Sequence, residues 1–252
     1  MKEWLCRAGA ADLLPIDMTY EDINIVYEDN HLLAAVKPVG VPAQADETGD
    51  PDMLSMLKEY LKVKYGKPGE AYLGLVHRLD RPTGGIMVFA KTSKAAARLS
   101  ESMKEGLFEK IYLCVTCGVP AERSGDLVHY LKKNERTNMV SIVPMLTQGA
   151  KKAELHYDVL DDKQGFALVK VKLSTGRSHQ IRVQMASLKC PLFGDRRYGG
   201  DPKTFKHDLA LWAVKLSVPH PTEDKKMTFV VYPDLNVVPW AAFDINYHLS
   251  NL

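Results

Sequence analysis

The chain has 252 residues, 46% of them hydrophobic and 25% charged, with a formal net charge of +2. That length and balance allow a sizeable buried core and exclude an intrinsically disordered chain, and the net charge alone does not mark a polyanion-binding protein. Four cysteines, Cys6, Cys114, Cys117 and Cys190, are too few for the disulfide framework of a small secreted domain. With no signal-peptide pattern and no apolar run long enough for a bilayer, a cytoplasmic protein is expected.

Residues 1–20 lack periodicity and read as an N-terminal arm ahead of a folded region over 21–252. Two apolar runs, Ile23 to Tyr27 and Leu32 to Val36, flank the turn-forming Glu28-Asp29-Asn30 and predict a hairpin. Lys37-Pro38-Val39-Gly40-Val41-Pro42 forces a loop. Asp50 reads as a helix N-cap with Pro51 in the first helical position, and Met53, Leu54, Leu57, Tyr60 and Leu61 keep helical spacing until Gly66. Leu75 to Arg78 and Ile86 to Ala90 read as strands around the turn Arg81-Pro82-Thr83-Gly84-Gly85. Ser93 is placed to cap a second helix through Ala95, Leu99 and Met103, closed by Gly106. Glu109 to Thr116 and residues 139–143, 153–160, 166–173, 209–216 and 227–232 add strands, with one short helix near 178–188. The tail from Val237, with Trp240, Phe243 and Tyr247, reads as packing on the domain. Strand and helix alternate without a βαβ repeat, so the expected class is α+β, a mixed, largely antiparallel central sheet with flanking helices.

Two segments concentrate polar chemistry. In Val76-His77-Arg78-Leu79-Asp80-Arg81-Pro82-Thr83-Gly84-Gly85, one carboxylate sits among two arginines and a histidine beside a turn. Nearby cations favour the ionised form of Asp80, which suits a nucleophile or base; the same grouping also describes a structural ion pair. In Leu173-Ser174-Thr175-Gly176-Arg177-Ser178-His179-Gln180-Ile181-Arg182-Val183, a helix opened by Ser178 would bury Ile181, Met185 and Leu188 while His179 and Arg182 share a polar face. Those groups can donate to phosphate, ribose or base, and they equally describe an ordinary polar helix start.

Taken together these segments resemble the motifs of the RluA-type pseudouridine synthases. The resemblance runs from about Tyr27 to Tyr232 and includes Tyr27-Glu28-Asp29-Asn30, Lys37-Pro38-Val39-Gly40, His77-Arg78-Leu79-Asp80, Lys110-Ile111-Tyr112 before Gly118, and Thr175 through Arg182. It implies the pseudouridine synthase catalytic fold over 21–252, without the N-terminal S4 RNA-binding domain of some relatives. It implies isomerisation of chosen uridines in structured ribosomal or transfer RNA, with neither cofactor nor metal. From the chain's size and the lack of a heptad pattern a monomer with no obligatory protein partner is expected, and from the lack of an apolar span no membrane. By motif, Asp80 matches the essential aspartate, Tyr112 the active-site tyrosine and Arg182 the basic residue that pairs with the aspartate. Arg78 matches the arginine that helps displace the target base, and His77, Thr83, Arg177, His179 and Gln180 are expected to contact RNA. The sequence departs from commoner family forms in Gly84 (Ser), Val36 (Asn) and Gln184 (His).

Three other readings compete. A zinc nucleoside deaminase would use Cys114 and Cys117, but their odd spacing in a strand points them to opposite faces and no His-x-Glu precedes them. A ribonuclease could use His77 and His179 as acid and base. A catalytically inactive RNA-binding protein with the same fold is the remaining alternative.

Overall fold

The structure is a computed structural model that describes residues 17–250; most of the expected N-terminal arm and the last two residues of the tail lie outside them. The chain divides into two compact units, one of residues 17–109 with Ala213–Val231 and one of Lys110–Trp212 with residues 232–250. Among the described residues there are eleven strands and four α-helices, an α+β protein with largely antiparallel strands.

In the first unit, β1 (Ile25–Glu28), β2 (Leu32–Lys37) and β4 (Gly84–Ala90) lie side by side, with β3 (Gly74–Leu75) also paired to β4. The pairs β1 with β2, β2 with β4 and β3 with β4 are antiparallel. All seven residues of β4 and five of the six in β2 are buried, the continuous apolar pattern of interior strands. β10 (Leu211–Pro219) and β11 (Lys226–Val230) form an antiparallel hairpin.

Helix α1 (Met53–Lys64) buries Met53, Met56, Leu57 and Leu61, one apolar stripe at helical spacing. Its cap is Asp52, whose side chain accepts the Ser55 N–H at 3.1 Å, two residues later than the sequence suggested. Asp50 is instead ion-paired with Arg81. Helix α2 (Ser93–Lys104) is capped by Thr92 rather than Ser93, packs against β3 and β4, and buries Ala95 and Leu99.

In the second unit the order is β5 (Glu109–Cys117), β9 (Phe166–Leu173), β8 (Lys151–Lys163), β6 (Ser124–Asn134) and β7 (Met139–Ile142), each neighbour antiparallel. Strand β6 was not foreseen: exposed positions alternate with half-buried ones, and polar residues flank and interrupt its apolar pairs Leu127-Val128 and Tyr130-Leu131. Helix α3 (Gln180–Ser187) packs on β6 and β7, where Val183 joins Leu131, Val140 and Ala153 in a small core with Tyr198 against it. A short α4 (Ile245–Leu249) buries Ile245 and Leu249, in keeping with a packed tail. No helix among the described residues is long and apolar enough to cross a membrane.

Candidate active site

Asp80 stands at the start of the turn that leads into β4, where its carbonyl accepts the Thr83 N–H at 2.9 Å. The chain behind this turn is fixed by groups from the Lys37-to-Asp50 segment. Lys37 is fully buried, and its ammonium donates to the carbonyls of Pro38 at 2.8 Å, Val41 at 2.6 Å and Arg81 at 2.9 Å. Burial pulls its pKa down to about 7, against the opposing pull of the Asp80 charge, while the Arg81 charge adds to the lowering. Three carbonyl acceptors match the three hydrogens of an ammonium. Lys37 therefore ties the loop to the Asp80 turn.

Arg81 completes the brace. Gly40 N–H donates to Arg81 O at 3.0 Å, Arg81 Nε donates to Gly40 O at 2.9 Å, Nη1 donates to Thr48 Oγ1 at 3.0 Å, and Nη2 meets Asp50. Of the two arginines flanking Asp80 in sequence, this one is committed to the loop. Arg78 is exposed and makes no hydrogen bond or ion pair among the described residues. His77 Nε2 accepts the Val88 N–H at 3.0 Å and its ring meets Phe108 edge-on, so part of its capacity is spent on holding β4. Thr83 is buried, and its Oγ1 has no hydrogen-bond partner among the described residues.

In the other unit, Tyr112 is buried in β5 opposite Val171. The segment before α3 is knitted to β8: Gln180 Oε1 accepts Thr175 Oγ1–H at 2.8 Å and Arg177 N–H at 3.0 Å, and its Nε2 donates to Glu154 O at 3.0 Å. Arg177 is exposed, with Nε donating to Lys152 O at 2.8 Å. Half-buried Lys110 has its pKa lowered by burial and then by the Arg177 charge, so the two form a small basic patch.

The helix itself begins one residue later than expected, with His179 as N-cap in the left-handed region at φ 52°. Residues Gln180 to Met185 are all buried, so the expected division between a buried apolar stripe and a separate polar face is absent. The polar groups are paired inside instead. His179 Nδ1 lies 2.7 Å from Tyr198 Oη, and Arg182 makes a two-bond fork to Asp195, with Nε to Oδ2 at 2.8 Å and Nη2 to Oδ1 at 2.7 Å. Burial alone would raise the Asp195 carboxyl, but the Arg182 guanidinium and the N–H groups of Arg197 and Tyr198 hold it low. Lys37, Asp52 and Asp195 are buried charged groups to which sequence reasoning gave no role. Lys37 stood in a quoted motif, so a charged residue inside a turn-forming stretch was the available signal.

Among the described residues one grouping, Asp29, His220 and Glu223, brings possible metal-ligand atoms within 4.8 Å of one another. Its histidine is already served on both nitrogens, Nε2 by Asp29 Oδ2 at 2.8 Å and Nδ1 by the Glu223 N–H at 3.0 Å. Cys114 is fully buried in β5 and burial pushes its thiol well up, which fits packing rather than ligation.

Residues 31–187 match the family model described as RNA pseudouridylate synthase. The chain is similar to the uncharacterized RNA pseudouridine synthase YhcT of Bacillus subtilis, 34% identical over 88% of this chain and 71% of that one. It is also similar to the ribosomal large subunit pseudouridine synthase C of Rickettsia bellii, 33% identical over 70% of this chain but only 57% of that protein's length. The solved structure of human RNA pseudouridylate synthase domain containing 4 covers 90% of this chain, and the chain 93% of it, with a TM-score of 0.72 at 23% identity, a likeness of fold. The chain belongs to the RNA pseudouridylate synthase family of isomerases.

Proposed function

We propose that the protein isomerises selected uridines in structured ribosomal or transfer RNA, with Asp80 as the carboxylate that acts on the ribose. The observation that carries this reading is the rigid mounting of Asp80: a turn tied by the three bonds of a buried lysine and by Arg81 to the loop behind it. Such bracing fits a group that must be held in one place while a reaction proceeds.

The reaction breaks the N1–C1′ bond, turns the uracil while it stays bound, and forms the C5–C1′ bond. The C5 hydrogen leaves as a proton and N1 gains one, so there is no net oxidation. As the base departs the ribose becomes electron-poor, and an ionised carboxylate can stabilise it, trap C1′ covalently or remove a proton from C2′. A stacked base is out of reach, so the target uridine must leave the helix. Arg78, exposed two residues before Asp80, is suited to fill the vacated space. Tyr112 would stack on the uracil and assist removal of the C5 proton, and Arg182 would hold Asp80 ionised and oriented; both roles come from the sequence resemblance. His77, Thr83, Arg177, His179 and Gln180 would contribute to RNA contacts or to the frame behind them. The protein would work in the cytoplasm, as a monomer and without cofactor.

The test is site mapping. Unmodified ribosomal and transfer RNA is incubated with the protein, treated with carbodiimide and read by primer extension. Discrete new stops with the wild type, absent with Asp80→Asn, support the reading. RNA binding without stops from either protein favours an inactive RNA-binding protein, and strand scission would favour a ribonuclease.

A further inference from the structure

Arg182 is the third residue of α3, and Asp195 lies thirteen positions further along the chain. Both side chains are buried, 5% and 0% exposed. Their two bonds form the side-on fork in which a carboxylate orients a guanidinium as well as attracting it. Asp195 Oδ1 also accepts the N–H groups of Arg197 at 2.9 Å and Tyr198 at 3.2 Å.

The backbone beneath the carboxylate is equally fixed. Asp195 N–H donates to Leu192 O at 3.1 Å, and Asp195 O accepts the Gly200 N–H at 3.0 Å. A Cβ on Gly200 would sit 2.5 Å from Asp195 O, so the turn is closed to within the space of one methyl group. Tyr198 covers one face of the guanidinium, with Arg182 Cζ 5.1 Å from the ring centroid. That ring is itself pinned, its hydroxyl accepting the Val140 N–H at 2.9 Å and meeting His179 Nδ1.

The fork takes up Nε and one hydrogen of Nη2, which sets the heading of the Nη1 edge. A lysine would carry the same charge without that heading. As a source of stability the pair is a weak choice, because desolvation of two ions offsets most of their attraction and apolar residues of like volume would join α3 to this loop as well. We infer that Asp195 is a positioning residue for the reaction, fixing the plane and heading of the Arg182 guanidinium. The inference rests on the reading that Arg182 serves pseudouridine formation.

Asp195→Glu in the full chain separates position from charge. It keeps the counter-ion but moves the carboxylate by one methylene, a displacement of about 1 Å, the scale at which misplacement is worth about a hundredfold in rate. The expected result is a fall in kcat of about tenfold to a hundredfold for release of tritium from RNA carrying [5-³H]uridine, with KM within about threefold of wild type. A folded Asp195→Glu with wild-type kcat overturns the inference.

A second readout needs no activity. In ¹⁵N spectra of the arginine side chains, wild-type Arg182 should show separate Nη signals from hindered rotation, and Asp195→Asn should merge them; separate signals that persist in Asp195→Asn also overturn it. If Asp195→Asn does not fold, the kcat of Asp195→Glu decides alone. Absence of tritium release from the wild type would defeat the proposed function, and the spectra would still decide whether Asp195 fixes Arg182.

Discussion

Replacing Gly85 by alanine should weaken the fold at the point where the Asp80 turn enters β4. Gly85 has φ +124°, a region that residues with a Cβ rarely adopt, and holding alanine there would cost about 1–3 kcal/mol. A Cβ would also sit 2.5 Å from Ala213 N, closer still to Ala213 O and 2.8 Å from Ala213 C. All three are backbone atoms, so no side chain can swing away. Forcing such an overlap typically adds about 1–3 kcal/mol through backbone shifts. The sum, about 4 kcal/mol, corresponds to a fall in Tm of about 8–16 °C for a protein of this size.

Gly40→Ala is the control. Its φ is +85°, but nothing lies within 4 Å of the added Cβ, so only backbone strain of about 1–2 kcal/mol applies. Thermal unfolding followed by circular dichroism reads both variants. If Gly85→Ala melts within about 2 °C of wild type, or no lower than Gly40→Ala, the close approach to Ala213 does not govern this turn.

Three further outcomes are expected. Lys37 has its pKa depressed from 10.5 to about 7 in the folded state, so the unfolded chain binds more protons between those values and the stability of wild type relative to Lys37→Met should rise with pH across that window. The rise can reach at most about 4–5 kcal/mol, and a pH-independent difference in urea unfolding contradicts the burial of that charge. For Glu28, burial favours the protonated form, but hydrogen bonds from Lys64, Lys91, Tyr65 and Tyr60 outweigh it and hold the carboxyl at about 2, below its ordinary 4.5. Its contribution is present above pH 4.5 and lost as pH falls towards 2, so the advantage of wild type over Glu28→Gln should shrink by about 1–3 kcal/mol on acidification; an advantage that grows would refute the assignment. Arg78→Ala should lower turnover while leaving Tm within about 2 °C of wild type, since the side chain is exposed and makes no hydrogen bond or ion pair among the described residues; an unchanged rate would remove it from base displacement.

Sequence reading found β2 and β4 because interior strands leave continuous apolar runs, and it found α1 and α2 because each buries one stripe. Strand β6 escaped because its face alternates through Asp126, Val128 and Tyr130 with little apolar contrast. Helix α3 was located but misread as amphipathic: Gln180, Arg182 and Gln184 are all buried, with Gln180 Nε2 donating to Glu154 O, Arg182 forked on Asp195 and Gln184 Nε2 donating to Leu127 O. Periodicity records polarity and cannot show whether a polar group meets water or an interior partner. The same blindness applied to the Asp80 turn. Arg81 looked like a neighbour of the carboxylate and is instead held by Gly40, Thr48 and Asp50, while Lys37 looked like part of a loop and proved to be a buried three-bond tie. Motif resemblance identified the segments; only the fold shows which partner each side chain has taken.

The most direct test of the account is tritium release from RNA labelled at C5 of uridine, comparing wild type with Asp80→Asn at matched RNA occupancy. Forming the C5–C1′ bond expels that hydrogen, so the account predicts release by the wild type and a fall of at least about a thousandfold in the variant, with RNA affinity kept. Comparable release by both proteins would remove Asp80 from the chemistry, and no release by the wild type from ribosomal and transfer RNA together would contradict the proposed activity itself.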